Sequence, residues 1–181
     1  PEIDQNLCVG CGVCKKACGY QMQPLMQKSE AVYAAASNND NLLRKSASGG
    51  AFAVLAENVL KKGGVVYGAA LPLENGKLEP KHLRIDTVER LTELQGSKYV
   101  QSAIGDTYAQ AKKDLLDGKS VLFSGTPCQI AGLKQYLKKD YENLLTVDII
   151  CHGVPSYKIL RDYIKWVEKR RKSKTCWYFF P

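Results

Sequence analysis

The sequence predicts an α/β fold in which a mixed sheet carries helices on its faces, preceded by a small cysteine-rich segment. Three observations predict it. Helix and strand signals alternate through the body of the chain. Four cysteines crowd into the first eighteen residues. The composition, 45% hydrophobic and 24% charged over 181 residues, is that of an ordinary globular protein, neither disordered nor fibrous.

Residues 21–41 have weak periodicity, apart from an apolar run, Ala31 to Ala36, that reads as a first strand. Ser46 or Ser48 can cap a helix from about Gly49 to Lys62, with Phe52, Leu55, Val59 and Leu60 on one face and Gly63 as its stop. Val65 to Leu71 reads as a buried strand, Leu83 to Ile85 as a short strand and Val88 to Leu94 as a short helix. A helix over Asp106 to Leu116 stops at Gly118 and is followed by a strand over Ser120 to Ser124. A helix from Pro127 to Leu137, a strand from Leu144 to Ile150 and a helix from about Ser156 complete the order.

A chain of this length can build a sizeable core without staples, so its seven cysteines are not needed for stability. No apolar stretch approaches the length of a membrane helix and no signal pattern opens the chain, which predicts a cytoplasmic protein with reduced thiols and no membrane span. Pro1 in place of Met and the aromatic run Trp177 to Phe180 predict cuts in a longer polypeptide. The net charge of +8 is local. Residues 155–181 hold eight Lys or Arg against two Asp or Glu, so +6 of it lies there. Arg161, Lys165, Lys169 and Lys172 follow helical spacing, which reads as a solvated helix face; a docking face for an acidic redox partner is the functional alternative. No nucleic-acid module signature accompanies the run, so no nucleic-acid partner is expected.

The sharpest motif is Cys8, Cys11, Cys14 and Cys18 in the spacing C-x2-C-x2-C-x3-C. It wraps a backbone around a cubane so that thiolates reach the irons of a 4Fe-4S cluster, and Gly10 and Gly12 let amides approach the inorganic sulfurs. Structural zinc sites use ligand pairs separated by a longer loop, and four thiols this close are too crowded for two relaxed disulfides. In two-cluster ferredoxins the fourth Cys serves the other cluster, and Gly19 replaces the usual Pro, so Cys18 has either role.

Residues 120–153 read as strand, helix, strand with short connections. If the strands are parallel, Cys128 and Cys151 lie just past the same sheet edge, where open α/β sheets bind ligands. With Thr126 as N-cap and Pro127 at the first position, Cys128 falls in the first helical turn, where the dipole favours a thiolate. Two readings stay open for this pair: ligand or nucleophile, or simply small buried apolar residues. Ser48-Gly49-Gly50 opens a helix and suits a phosphate, or is an ordinary cap. The loop Gly96 to Ser102 offers a flexible glycine, one cation and three side-chain hydroxyls suited to a nucleotide, and is equally found in plain turns. His152 is a candidate for proton transfer, and His82 reads as structural.

The blocks Ser48 to Gly50, Gly96 to Ser102, Ser124 to Gln129 and Cys151 to Gly153 resemble signatures of the coenzyme F-420 hydrogenase/dehydrogenase beta-subunit family. The Cys8 to Cys18 block is similar to the ferredoxin motif that many bacterial members carry in front of them. The resemblance implies an iron-sulfur flavoprotein oxidoreductase of two parts: a ferredoxin-like 4Fe-4S segment over residues 1–30 and a flavin-binding α/β domain, C-terminally incomplete, over residues 31–181. It implies FAD, 4Fe-4S clusters and, as a further carrier, coenzyme F-420. Electrons then pass between a two-electron carrier or small-molecule substrate and a ferredoxin-like or other redox protein. A non-catalytic electron-transfer subunit of a larger complex is the alternative. The residues carried over are Ser48, Gly49, Gly50, Gly96, Ser97, Lys98, Tyr99, Ser124, Gly125, Thr126 and Gln129 for the flavin, Cys128 and Cys151 for a second cluster, and His152 for catalysis. The family's later Cys-x2-Cys pair does not follow Cys151 here, which leaves that cluster half-ligated within these residues.

Overall fold

The computed structural model describes residues 3–17 and 29–175; Cys18 and Cys176 lie outside them. After a one-turn helix α1 (Val13–Ala17) and another, α2 (Asp40–Arg44), the order is α3 (Ala51–Lys61), β1 (Val65–Ala70), a hairpin of β2 (Leu73–Glu74) and β3 (Lys77–Leu78), and β4 (Lys81–Ile85). A 3-10 turn (Val88–Glu93), α4 (Thr107–Leu116), β5 (Val121–Gly125), α5 (Pro127–Leu137), β6 (Leu144–Asp148) and α6 (Tyr157–Arg171) follow.

Four strands form one mixed sheet in the order β4-β1-β5-β6. β4 runs antiparallel to β1, while β1, β5 and β6 are parallel. Strand alternation then divides the core. Val66, Leu122 and Ile85 face Ala53, Ala56 and Leu60 of α3 together with Leu91 and Leu94. On the other face Val65, Tyr67, Val121 and Phe123 meet Ala111 and Leu115 of α4 and Ile130, Leu133 and Leu137 of α5. Each face of the sheet is thus covered by helix, as the alternating pattern predicts.

One buried polar cluster interrupts the second face. The Tyr67 hydroxyl donates to Asp114 Oδ2 at 2.6 Å, Arg84 Nε to the same oxygen at 2.7 Å and Lys119 Nζ to Oδ1 at 2.8 Å. Burial opposes ionisation of Asp114, but the hydrogen bonds from Arg84, Lys119 and Tyr67 win and hold its carboxyl well below the usual carboxylate range. The network ties β1 and β4 to α4.

Several sequence expectations shift. Residues 31–36 form no strand, because among the described residues none pairs with them; the segment is anchored by Ser37 N–H donating to Gly49 C=O at 2.7 Å. α3 begins at Ala51, and neither serine caps it. Gly50 is the N-cap in the left-handed region, φ 76°, and the Ser46 hydroxyl instead donates to Leu42 C=O at 2.8 Å. The Val88 helix is a 3-10 turn. α2, capped by Asn39 Oδ1, and the Asn75-Gly76 hairpin, with both residues at positive φ, are further elements. α6 exposes its basic residues and buries only Leu160. Its exposed Lys158–Asp162 pair is screened by solvent and contributes little.

Candidate functional site

The parallel pairing of β5 and β6 places Gly125 opposite Asp148, and Ile149 N–H extends the ladder to Gly125 C=O at 3.0 Å. Cys128 and Cys151 therefore each lie three residues past paired strand ends, at the carboxyl edge of the parallel strands. That edge opens into a cavity of about 1060 Å³. Both cysteines line it, Cys128 exposed and Cys151 half-buried, and both are free thiols.

Every flavin residue carried over from the resemblance lines the same cavity. Ser48, Gly49 and Gly50 bring the N-terminus of α3 to it, and Gly96, Ser97, Lys98 and Tyr99 form a second wall. Ser124, Gly125, Thr126 and Gln129 form a third, with His152 beside Cys151 on the fourth. Small residues dominate because backbone comes close: a Cβ on Gly49 would stand 2.2 Å from Ala35 O. Gly68 forms part of the lining, its missing side chain facing Leu94 and Phe52. Lys98 Nζ donates to Gln95 C=O at 2.6 Å and has no carboxylate partner among the described residues. Burial pulls its ammonium down to about 8. A cavity with a helix N-terminus, a half-buried cation and mostly small lining residues suits a large, partly anionic ligand.

Behind the wall lies a histidine whose part the sequence did not disclose. His82 on β4 is buried and stacks on Phe123 with ring centroids 5.4 Å apart. Its Nε2 lies 3.0 Å from Ser124 C=O and its Nδ1 2.9 Å from Ser102 Oγ. A carbonyl only accepts, so Nε2 carries the proton and Nδ1 accepts from the serine hydroxyl. Gln129 Nε2 donates in turn to Ser102 Oγ at 3.2 Å. Burial lowers the His82 pKa to about 4, which keeps the ring neutral. This chain of bonds ties together the Gly96–Ser102 and Ser124–Gln129 walls. The sequence reading of His82 as structural holds, but its two partners cannot be read from a histidine within a strand.

The cysteine segment stands apart from the cavity. Cys8, Cys11 and Cys14 are exposed free thiols, and Gly10 and Gly12 take positive φ of 67° and 70°, turns that suit a backbone wrapped closely about a cluster. Among the described residues no three His, Cys, Asp or Glu side chains are gathered closely enough to hold a metal ion. α1 rests on α5, where Gln135 Nε2 donates to Lys16 C=O at 2.5 Å. No helix among the described residues is long and apolar enough to cross a membrane.

Comparison with known proteins bears on these features. Residues 1–22 match a 4Fe-4S binding domain. Residues 32–107 match the model "Coenzyme F420 hydrogenase/dehydrogenase, beta subunit N-term", and residues 118–174 match the corresponding C-terminal model. Curated protein sequences gave no match. Among solved structures, a chain of the F420-reducing [NiFe] hydrogenase complex from Methanosarcina barkeri, in a xenon-derivatised form, superposes with a TM-score of 0.57 at 20% identity, over 77% of this chain. The match covers 52% of that chain, so these residues span about half its length, and the likeness is one of fold. By its two family-model matches, which together cover most of its length, the chain belongs to the coenzyme F420 hydrogenase/dehydrogenase beta-subunit family.

Proposed function

We propose that the chain is the core of an iron-sulfur flavoprotein oxidoreductase, exchanging electrons between a two-electron carrier of the F-420 type and a ferredoxin-like protein partner. The observation that carries this reading is the convergence on one cavity of the α3 N-terminus, the Lys98 loop and the two free thiols of Cys128 and Cys151. FAD, when bound, supplies the exchange between hydride and single electrons that a carrier and a cluster cannot perform directly.

The chain's residues divide the work. Ser48, Gly49, Gly50 and Lys98 receive the pyrophosphate, whose charge matches the helix N-terminus and the cation. Ser124, Gly125, Thr126 and Gln129 shape the wall against the ring, braced by His82 and Ser102. His152, which lines the cavity beside Cys151, is the residue proposed to move a proton. Cys128 and Cys151 supply two cluster ligands, and Cys8, Cys11 and Cys14 with Cys18 serve a cluster near the surface. The surface segment docks at Gln135, seven residues from Cys128, which is about 10 Å along the axis of α5.

Iron, sulfide and flavin quantitation on the anaerobically purified full-length protein tests the reading. Brown protein holding flavin and cluster iron is expected, with Cys11→Ser losing iron of the surface cluster while retaining flavin. Colourless, zinc-loaded protein would overturn it.

A further inference from the structure

α6 carries two apolar rows, and the protein shelters one of them. Leu160 is buried and Ile164 and Val167 are half-buried, at the spacing of one helix face. Ile159, Tyr163 and Trp166 repeat that spacing on a neighbouring face, yet they are 61%, 47% and 53% exposed. Their rings are ordered: Tyr163 and Trp166 stack with centroids 6.0 Å apart, and the Arg170 guanidinium lies 5.3 Å from the Trp166 centroid. A lone exposed apolar residue needs no explanation, but three large ones in a row make a patch that gains from being covered.

Charge says what would cover it. Arg161, Lys165 and Lys169 follow one another at i, i+4 along the other flank of the exposed row. The whole helix holds six Lys or Arg against two Asp or Glu, and both acids are already engaged: Asp162 with Lys158 at 2.7 Å, Glu168 with the Thr175 N–H at 2.8 Å. The field along α6 is therefore positive and suits an acidic surface. A lipid surface is the poorer match, because a helix lying on lipid turns its main apolar face outward, whereas here the Leu160 face is sheltered and a narrow row is left. The helix also begins at the cavity. Cys151 to Val154 line that cavity, Ser156 is the N-cap of α6, and Gln101 N–H donates to Pro155 C=O at 3.1 Å, which ties the entry of the helix to the Gly96–Ser102 wall. Ile159 follows Val154 by at most about 17 Å of chain.

We infer that the Ile159–Tyr163–Trp166 row of α6, with the cations beside it, is the docking surface for an acidic protein electron carrier. Carboxylates of the carrier meet Arg161, Lys165 and Lys169, and an apolar spot among them covers the aromatic pair. The inference rests on the reading of the protein as an oxidoreductase with a redox protein partner. A helix of about 22 Å offers a small contact, the size class of transient electron-transfer encounters. Within it the Trp166–Tyr163–Arg170 stack is the anchor, the residue types in which interface energy concentrates, and the lysines speed the encounter.

The experiment titrates the anaerobic full-length protein with an acidic 4Fe-4S ferredoxin as probe, by calorimetry. Trp166→Ala is expected to weaken binding about tenfold, the scale of an interface anchor, while its melting temperature stays within about 2 °C of wild type. Lys165→Glu combined with Lys169→Glu is expected to weaken binding strongly at about 0.01 M ionic strength and much less at about 0.15 M. Wild-type protein that does not bind the probe, or variants that bind it as wild type does, overturn the proposal. A larger loss of melting temperature in Trp166→Ala also overturns it, since the row is then covered within the protein's own fold. Binding through α6 to duplex DNA or to phosphatidylglycerol vesicles in place of the ferredoxin does the same. Flavin and cluster-iron content separates the two levels of inference. Protein that holds both and reduces a viologen dye, but binds ferredoxin independently of α6, loses the docking site alone, whereas protein that holds neither loses the redox reading and the docking site with it.

Discussion

Protonation of His82 should release the brace behind the cavity, and its effect on stability can be worked out in advance. The ring is buried and neutral, with a pKa near 4 against 6.5 for an exposed histidine, because burial penalises the imidazolium. Between those values the unfolded chain binds a proton that the folded protein refuses. Stability therefore falls as pH drops below 6.5, and the loss levels off once pH passes below about 4. From pH 7.5 to pH 5.0 this one group accounts for about 2 kcal/mol. Other groups titrate as well, so the difference between proteins is the measurement. His82→Gln keeps a donor for Ser124 C=O but titrates nowhere in this range. Urea titrations of the iron-free protein at the two pH values should show wild type losing about 2 kcal/mol more than His82→Gln. Equal pH dependence in the two proteins would refute both the burial argument and the assigned tautomer.

Two further substitutions test other parts of the frame. Gly49→Ala places a Cβ 2.2 Å from Ala35 O and 3.2 Å from Ala36 Cα, backbone atoms that cannot swing aside, so a loss of about 1–3 kcal/mol with weakened flavin retention is expected; an unchanged melting temperature in a flavin-replete variant would contradict it. Asp114→Ala leaves the buried Tyr67 hydroxyl without its acceptor and takes a carboxylate from Arg84, which keeps Asp86, and from the half-exposed Lys119, which costs about 1–3 kcal/mol, or roughly 5 °C in melting temperature for a domain of this size. Scanning calorimetry decides it, and a shift below about 2 °C would mean that the network is dispensable.

What could be read in advance follows from how local each signal is. The alternation of helix and strand is written in short-range periodicity, and the strand-helix-strand order of β5, α5 and β6 with it, whereas their parallel pairing is a contact between distant residues. The four-cysteine spacing is equally local, because one cluster gathers its ligands from a few turns of chain. Ala31–Ala36 misled for the opposite reason: a strand needs a neighbour, and apolarity alone does not provide one. Asn75-Gly76 is a hairpin signal, but a weak one, because its flanking strands are only two residues each and carry charged side chains. The cavity walls come from four segments distant in sequence, and nothing in Gly96 to Ser102 by itself announces that it faces Ser124 to Gln129. Only the family resemblance grouped those segments. His82 escaped even that, since its meaning lies in two hydrogen bonds to residues 20 and 42 positions away.

The two buried polar networks show how stability and site are kept apart in one small sheet. Phe123 lies between them, stacked on Tyr67 at 5.4 Å on one side and on His82 at 5.4 Å on the other. Tyr67 leads to the Arg84–Asp114–Lys119 cluster, in which one carboxylate holds two cations, Arg84 also pairing with Asp86, and fastens α4 to the sheet. His82 leads to Ser102, Gln129 and Ser124, whose groups are neutral and fasten the cavity loops. A charged network behind the cavity would impose a fixed field on any bound ligand, whereas a neutral one braces the walls without adding charge to them. The walls need such a brace because small residues, which supply little hydrophobic contact of their own, form much of them. Rigidity at this site therefore comes from directed hydrogen bonds, and loosening them should relax the cavity before it unfolds the sheet.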